Sequence, residues 1–183
     1  MTPLLRFDRV TLRRGGRLLF DDLDLVVGPG EALHVAGPNG SGKSSLIWLA
    51  AGLLRPERGC VERSPLALAD DHLALDREIS LQRALRFWAD AVDAPMAALG
   101  IAHLADIPVR LLSSGQAKRA ALARVVGSGV LLWLLDEPLN ALDSDGTTRL
   151  IGLIETHRAA GGAVVAASHQ PLPGEWRGLE LGQ

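Results

Sequence analysis

Gly37-Pro38-Asn39-Gly40-Ser41-Gly42-Lys43-Ser44 fits the phosphate-binding loop pattern GxxxxGK[ST] without a mismatch. Apolar residues precede it (Ala32, Leu33, Val35, Ala36), and Ser45 to Ala51 follows it with a helical pattern. A strand entering a glycine-rich turn that opens a helix is the context this motif requires. The glycines let the backbone curl until successive N–H groups point at one phosphate group, and the helix N-terminus adds the positive end of its dipole. Gly37 to Ser45 is therefore the candidate phosphate site. Lys43 is expected to reach the terminal phosphates, and the Ser44 hydroxyl to take a Mg²⁺ ligand position. Standing alone, the match could be an ordinary glycine-rich turn; the rest of the chain decides.

Leu131-Leu132-Trp133-Leu134-Leu135-Asp136-Glu137 is an apolar strand that ends in two carboxylates. A strand this uniformly apolar is expected to be buried on both faces of a parallel sheet, and its tip emerges at the ligand-binding edge. Asp136 is placed to bind Mg²⁺ through its water shell. Glu137 is suited to orient and polarise an attacking water. A solvated acidic turn is the plainer reading, and it loses force beside a phosphate loop.

At 183 residues, 48% hydrophobic and 22% charged, the chain is expected to be a single domain, residues 1–183, with a sizeable core. The net charge of −2 offers no overall basic field for nucleic acid. Cys60 is the only cysteine, which excludes an intrachain disulfide and a cysteine-rich metal site. The N-terminus carries charge too early for a secretory signal, and no stretch approaches the ~20 apolar residues of a spanning helix. Cytosolic character, with membrane attachment only through a partner, is the expectation.

Leu4 to Val10 and Leu18 to Val27 read as strands joined by a turn at Arg13–Arg17, and Glu31 to Ala36 as the strand feeding the loop. Cys60–Glu62 and Pro65–Ala69 are short apolar segments. Helical spacing runs from Ile79 to Ala91 and again, weakly, from Met96 to Ala102. Ser113 to Val126 and Asp143 to Ala159 are helices, and Ala163 to Ala167 a buried strand. The fold class is α/β, with a parallel-sheet core in 1–71 and 113–183, N-terminal antiparallel strands, and a helical subdomain inserted at 72–112.

Leu112-Ser113-Ser114-Gly115-Gln116 resembles the LSGGQ signature of ABC ATPases, with Ser114 where the family has its first glycine. An ordinary helix N-cap made by Ser113 would account for this piece alone. Phosphate loop, helical insertion, signature, apolar strand with Asp136-Glu137, Ala141-Leu142-Asp143 and Ser168-His169 nevertheless follow the ABC order over nearly the whole chain. The resemblance implies an ABC nucleotide-binding domain of the P-loop NTPase fold that binds and hydrolyses ATP with Mg²⁺. It implies that Leu112 to Gln116 contact the ATP of the other subunit in a head-to-tail homodimer, that Asp143 is the D-loop aspartate coupling the two sites, and that His169 is the switch histidine at the γ-phosphate. His34, His103 and His157 match no motif and read as structural or surface residues.

Two departures bear on chemistry. Leu12-Arg13-Arg14-Gly15-Gly16 lacks the aromatic residue that the family stacks on adenine, and Arg14 could present its guanidinium plane instead. Asp70-Asp71-His72 stands where the family has its Q-loop glutamine, and either Asp71 or His72 takes that place. Asn140 replaces a smaller residue, a minor change.

Arg17-Leu18-Leu19-Phe20, Leu131 to Asp143, Gly161 to Val165 and Ser168-His169-Gln170-Pro171-Leu172 are similar to the cytochrome c maturation subfamily, the haem exporter ATPases. That similarity implies an integral membrane partner (the B subunit of the system), a place at the cytoplasmic face of the bacterial inner membrane, and ATP hydrolysis tied to haem export or to release of a haem-loaded chaperone. No residue set resembles a haem ligand pair. The rival readings are the ATPase of another small transporter, and a nucleotide-dependent module that does not hydrolyse, suggested by the missing glutamine and aromatic.

Overall fold

The structure, a computed structural model, describes residues 2–182. Its backbone contacts divide into two compact units. The first comprises the segments up to Leu68, Val130–Glu137 and the chain from His157 on; the second comprises Ala69–Gly129 and Pro138–Thr156.

In the first unit, β1 (Leu5–Arg14) and β2 (Arg17–Val27) form an antiparallel hairpin. Gly15 and Gly16 make the turn at φ 58° and 79°, the positive values that a type I′ hairpin turn demands at both central positions. β4 (Arg58–Arg63) joins the other edge of β1, so the sheet runs β2-β1-β4. A second sheet has the order β5-β6-β7-β3-β8, from β3 (Ala32–Ala36), β5 (Leu66–Ala69), β6 (Leu132–Asp136), β7 (Ala163–Ala167) and β8 (Arg177–Glu180). The β6–β7, β7–β3 and β3–β8 pairs are all parallel.

Every residue of β6 and β7 is buried, which explains why their sequences are continuous apolar runs rather than alternating ones. Leu132, Leu134, Val165, Leu33 and Val35 point into the main core, where they join Phe7, Leu25 and Val27 of the hairpin and Leu46, Ile47 and Leu49 of α1 (Lys43–Ala51). The Trp133 ring, on the opposite face of β6, lies flat against His157, with ring centroids 3.8 Å apart. α1 ends at Gly52, which adopts φ 76° and returns its N–H to the Leu49 carbonyl, a C-terminal cap that glycine provides without strain.

The second unit carries α2 (Leu81–Arg86), α3 (Asp93–Ala98), α4 (Ser114–Gly127) and most of α5 (Ser144–Ala159). Leu81, Leu85, Met96, Leu99, Ile101 and Leu122 are its fully buried large side chains. α3 crosses α4 so closely that a Cβ on Gly127 would stand 3.3 Å from the Pro95 ring.

Several elements differ from expectation. The helix expected over Ile79–Ala91 stops at Arg86, because the next N–H groups tighten to i→i−3 (Trp88 N–H to Leu85 O, 2.8 Å) and the Trp88 indole turns to donate to the Ala74 carbonyl at 3.1 Å. The helix expected from Met96 begins at Asp93 instead. β8 was not expected: Arg177–Glu180 is short and largely exposed, with no apolar pattern. By backbone contacts, α4 and most of α5 fall in the same compact unit as the helical segment over 72–112.

Candidate active site

The phosphate loop leaves β3 at Gly37, whose φ of 143° is reserved for glycine. A Cβ there would come within 2.5 Å of the Leu181 carbonyl oxygen and 2.7 Å of Ser41 Oγ. Gly40 and Gly42 are also at positive φ. Gly42 is the N-cap of α1, no side chain caps that end, and its first turn holds no acidic residue. The opening N–H groups of α1 thus have no side-chain acceptor, the arrangement that receives an anion. Lys43 is buried, and its ammonium donates to the carbonyls of Gly37 (2.8 Å) and Pro38 (3.1 Å). The loop's own carbonyls so pin a positive charge inside the turn.

Asp136, buried, ends β6. Glu137 follows at φ 45°, with its N–H bonded to the Ala167 carbonyl at 2.8 Å. A left-handed glutamate costs roughly 1–3 kcal/mol and turns its side chain off the line of the strand. Both Glu137 carboxylate oxygens lie 3.0 Å from His169 Nδ1, and one also accepts the His169 N–H at 3.2 Å. Gln170 Nε2 lies 3.3 Å from the other ring nitrogen, His169 Nε2. This network assigns the proton to Nδ1, which donates to the carboxylate, and leaves Nε2 to accept from the amide.

A cleft of about 500 Å³ is shared by the loop and Glu137; Asn39, Gly40, Gly42 to Ser45, Glu137, Arg14 and Trp48 border it. Arg14 lies over the indole of Trp48, 4.7 Å from guanidinium carbon to ring centroid, and donates to Ser45 Oγ at 3.4 Å. Ser44 and Asp136 supply hard oxygen donors. No group of three or more His, Cys, Asp or Glu side chains that could hold a metal occurs among the described residues. That donor set fits Mg²⁺, which is bound through one or two protein oxygens plus substrate phosphates rather than in a protein cage.

The second unit collects the other expected residues. Leu112 precedes α4, and Ser113 caps it: Ser113 Oγ accepts the Gln116 N–H at 3.3 Å, and Gln116 Oε1 accepts the Ser113 N–H at 2.9 Å. The N-cap reading of this segment is therefore correct as local structure, and it does not compete with a binding role. Asp143 accepts the Gly146 N–H at 2.8 Å at the start of α5 and pairs with Arg119. Gly146 and Arg119 together hold its carboxyl below the usual carboxylate range. A cleft of about 360 Å³ is bordered by Ser113, Gly115, Gln116, Arg119, Asp143 and His103. Asp71 and His72 are exposed in a turn after β5; Asp70 Oδ1 accepts the His72 N–H at 2.9 Å.

The expected residues thus fall into two sets: Gly37 to Ser45, Asp136, Glu137 and His169 in one unit, and Leu112 to Gln116 with Asp143 in the other. Sequence reasoning passed over Trp48, Arg119 and Asp145. Only Arg119 carried a signal, one helical turn beyond Gln116.

The sequence pattern of the ABC transporter family matches residues 20–140. The chain belongs to the ABC transporter family. Within it, the chain is 54% identical to the cytochrome c biogenesis ATP-binding export protein CcmA of Sphingopyxis alaskensis, over 94% of this chain and 93% of that protein. It is 57% identical to the protein of the same name from Novosphingobium aromaticivorans, over 89% and 87%. The fold is shared with an ABC transporter ATP-binding protein from Pyrococcus furiosus, with a TM-score of 0.84 at 18% identity over 97% of this chain and 96% of that one. An ATP-binding subunit of an ABC transporter matches with the same TM-score at 20% identity, over 91% and 79%. As a member of that family, the chain is an ABC-type ATPase. No helix among the described residues is long and apolar enough to cross a membrane.

Proposed function

We propose that the chain is the ATPase of a cytochrome c maturation complex, acting with an integral membrane subunit at the cytoplasmic face of the inner membrane. The names of its relatives support the system, and the observation that carries the chemistry is that Glu137 borders the same cleft as Lys43 and Ser44.

The triphosphate occupies the loop, its β- and γ-phosphates receiving the N–H groups of Gly40 to Ser45 and the Lys43 ammonium. For this, Lys43 exchanges the Gly37 and Pro38 carbonyls for phosphate oxygens. Ser44 and Asp136 would hold Mg²⁺, which would supply neutralisation of the phosphate charge. Glu137 accepts a hydrogen bond from the attacking water, and His169 Nδ1–H holds that carboxylate in place. The base lies on Arg14, whose plane Trp48 supports. Ser113 to Gln116 and Asp143 serve the nucleotide of a second copy in a head-to-tail homodimer, and closure on ATP drives the membrane subunit.

The test is Mg²⁺-dependent ATP hydrolysis by the full chain, alone and with its membrane subunits, for the wild type, Lys43→Ala and Glu137→Gln. The wild-type rate rises with the subunits. Lys43→Ala loses nucleotide binding, and Glu137→Gln binds ATP while its turnover falls on the order of 100-fold or more. Normal hydrolysis by Glu137→Gln sinks the role of that carboxylate.

A further inference from the structure

Arg119 lies on α4 one turn beyond Gln116, with its side chain only 12% exposed. Both terminal nitrogens of its guanidinium are used. Nη2 donates to Asp143 Oδ1; Nη1 donates to Asp145 Oδ2 at 2.9 Å and to the Leu99 carbonyl at 3.0 Å. A group this shielded is costly to leave unpaired. Burial alone works against its charge, yet the two carboxylates outweigh burial and raise its pKa.

The backbone makes room for it. A Cβ on Gly100 would stand 3.0 Å from Nη1, and one on Gly146 would stand 3.1 Å from Nε. Two glycines, at the end of α3 and in the first turn of α5, admit the guanidinium. Close by, a Cβ on Gly115 would stand 2.8 Å from the Ala141 carbonyl oxygen. The first turn of α4 and the loop before Asp143 therefore touch backbone to backbone, with Ala141 held at φ 64°. Asp143 itself is 69% exposed. An exposed loop carboxylate is ordinarily free among rotamers; this one is fixed by Gly146 N–H and by Arg119 at once.

We infer that Arg119 is a positioning residue that locks the Ser113–Gln116 turn and the Asp143 carboxylate into one rigid piece, so that displacement of either is delivered to the other. The inference rests on the proposed roles of those two segments, and it names the side chain that connects them. Arg119 acts through Asp143 and does not itself touch the reacting atoms.

A double-mutant cycle on the full chain with its membrane subunits tests this, using Arg119→Ala, Asp143→Ala and the combined variant. ATP turnover and nucleotide affinity (by a fluorescent ATP analogue) are both measured. Arg119→Ala is expected to lower kcat about tenfold, within the span of ordinary coupling energies, while affinity at the Lys43 loop stays within about twofold. The combined variant is expected to be no slower than Asp143→Ala, because both remove the same link. Arg119→Lys keeps the charge but cannot bridge two carboxylates and a carbonyl, and it recovers part of the rate. Arg149→Ala removes contacts to Asp145 and the Ala98 carbonyl without touching Asp143, and it stays near wild type. Additive losses in the combined variant overturn the inference, as does an Arg149→Ala loss equal to that of Arg119→Ala. Absence of hydrolysis in the wild-type complex is a different failure: it overturns the functional reading on which the inference stands.

Discussion

Arg14 and Trp48 border the cleft that Lys43 and Ser44 open, and in the proposed function the base rests on the Arg14 guanidinium, which lies over the Trp48 ring. A guanidinium stacked face-on offers its plane to any base, and its in-plane donors then do not meet the edges that distinguish adenine from guanine. Arg14→Ala is therefore expected to weaken binding of ATP and of GTP alike, each by about 1 kcal/mol or roughly fivefold, as read by calorimetry. Unchanged affinity for both nucleotides removes Arg14 from the site; a loss confined to ATP removes the argument that stacking alone is involved. The sequence showed Arg14 as a substitute for an absent aromatic but not what holds it flat. That support comes from residues far along the chain, for Arg14 and its acceptor Ser45 are 31 positions apart, and no local pattern brings them together. Lys43, Ser44, Asp136 and Glu137 were legible because their spacing within one turn or strand end is itself the chemical requirement.

At the scale of elements, the apolar runs of β6 and β7 mark buried parallel strands, and the helical pattern from Ser113 begins at the N-cap of α4. β8 escaped because an edge strand that leaves most of its residues exposed needs no apolar pattern. The end of α5 shows how packing outside any motif creates a pH dependence. His157 stacks on Trp133 at 10° between planes, and its Nε2 lies 3.0 Å from the Leu131 carbonyl, to which the neutral ring donates. Gly162 permits this, since a Cβ there would stand 2.2 Å from Nε2. Burial lowers the His157 pKa below its ordinary value of 6.5. The unfolded chain therefore takes up the proton first as pH falls. His157 contributes its full share of stability above about 6.5, and that share is lost as pH drops from there toward the lower folded value. Urea unfolding of wild type and His157→Gln at pH 7.5 and 5.5 measures this. The wild type is expected to lose more stability between the two than the variant does, with carboxylate titrations cancelling in the comparison. Equal losses show that the ring carries no pH-dependent share.

At the scale of the whole molecule, the two compact units separate the expected site residues into complementary halves: loop, carboxylates and His169 in one, Ser113–Gln116 and Asp143 in the other. If each nucleotide takes its loop from one chain and its Ser113–Gln116 turn from a second, damage to opposite halves must complement between chains. Gly115 is suited to the test, because its Cβ would press on the Ala141 carbonyl and displace the turn without touching the phosphate loop. Lys43→Ala and Gly115→Val are each expected to abolish turnover in homodimers. Mixed in equal amounts and reassembled with the membrane subunits, they form some heterodimers in which one site carries both lesions and the other carries neither. Measurable ATP turnover should then return to the mixture, at a fraction of the wild-type rate set by the share of heterodimers and by how far a single intact site can fire alone. A chain that completes its nucleotide site from its own two halves gives no such recovery, since every active site in the mixture would carry one lesion. Recovery in the mixture, set against silence in each variant alone, separates a shared site from a self-contained one.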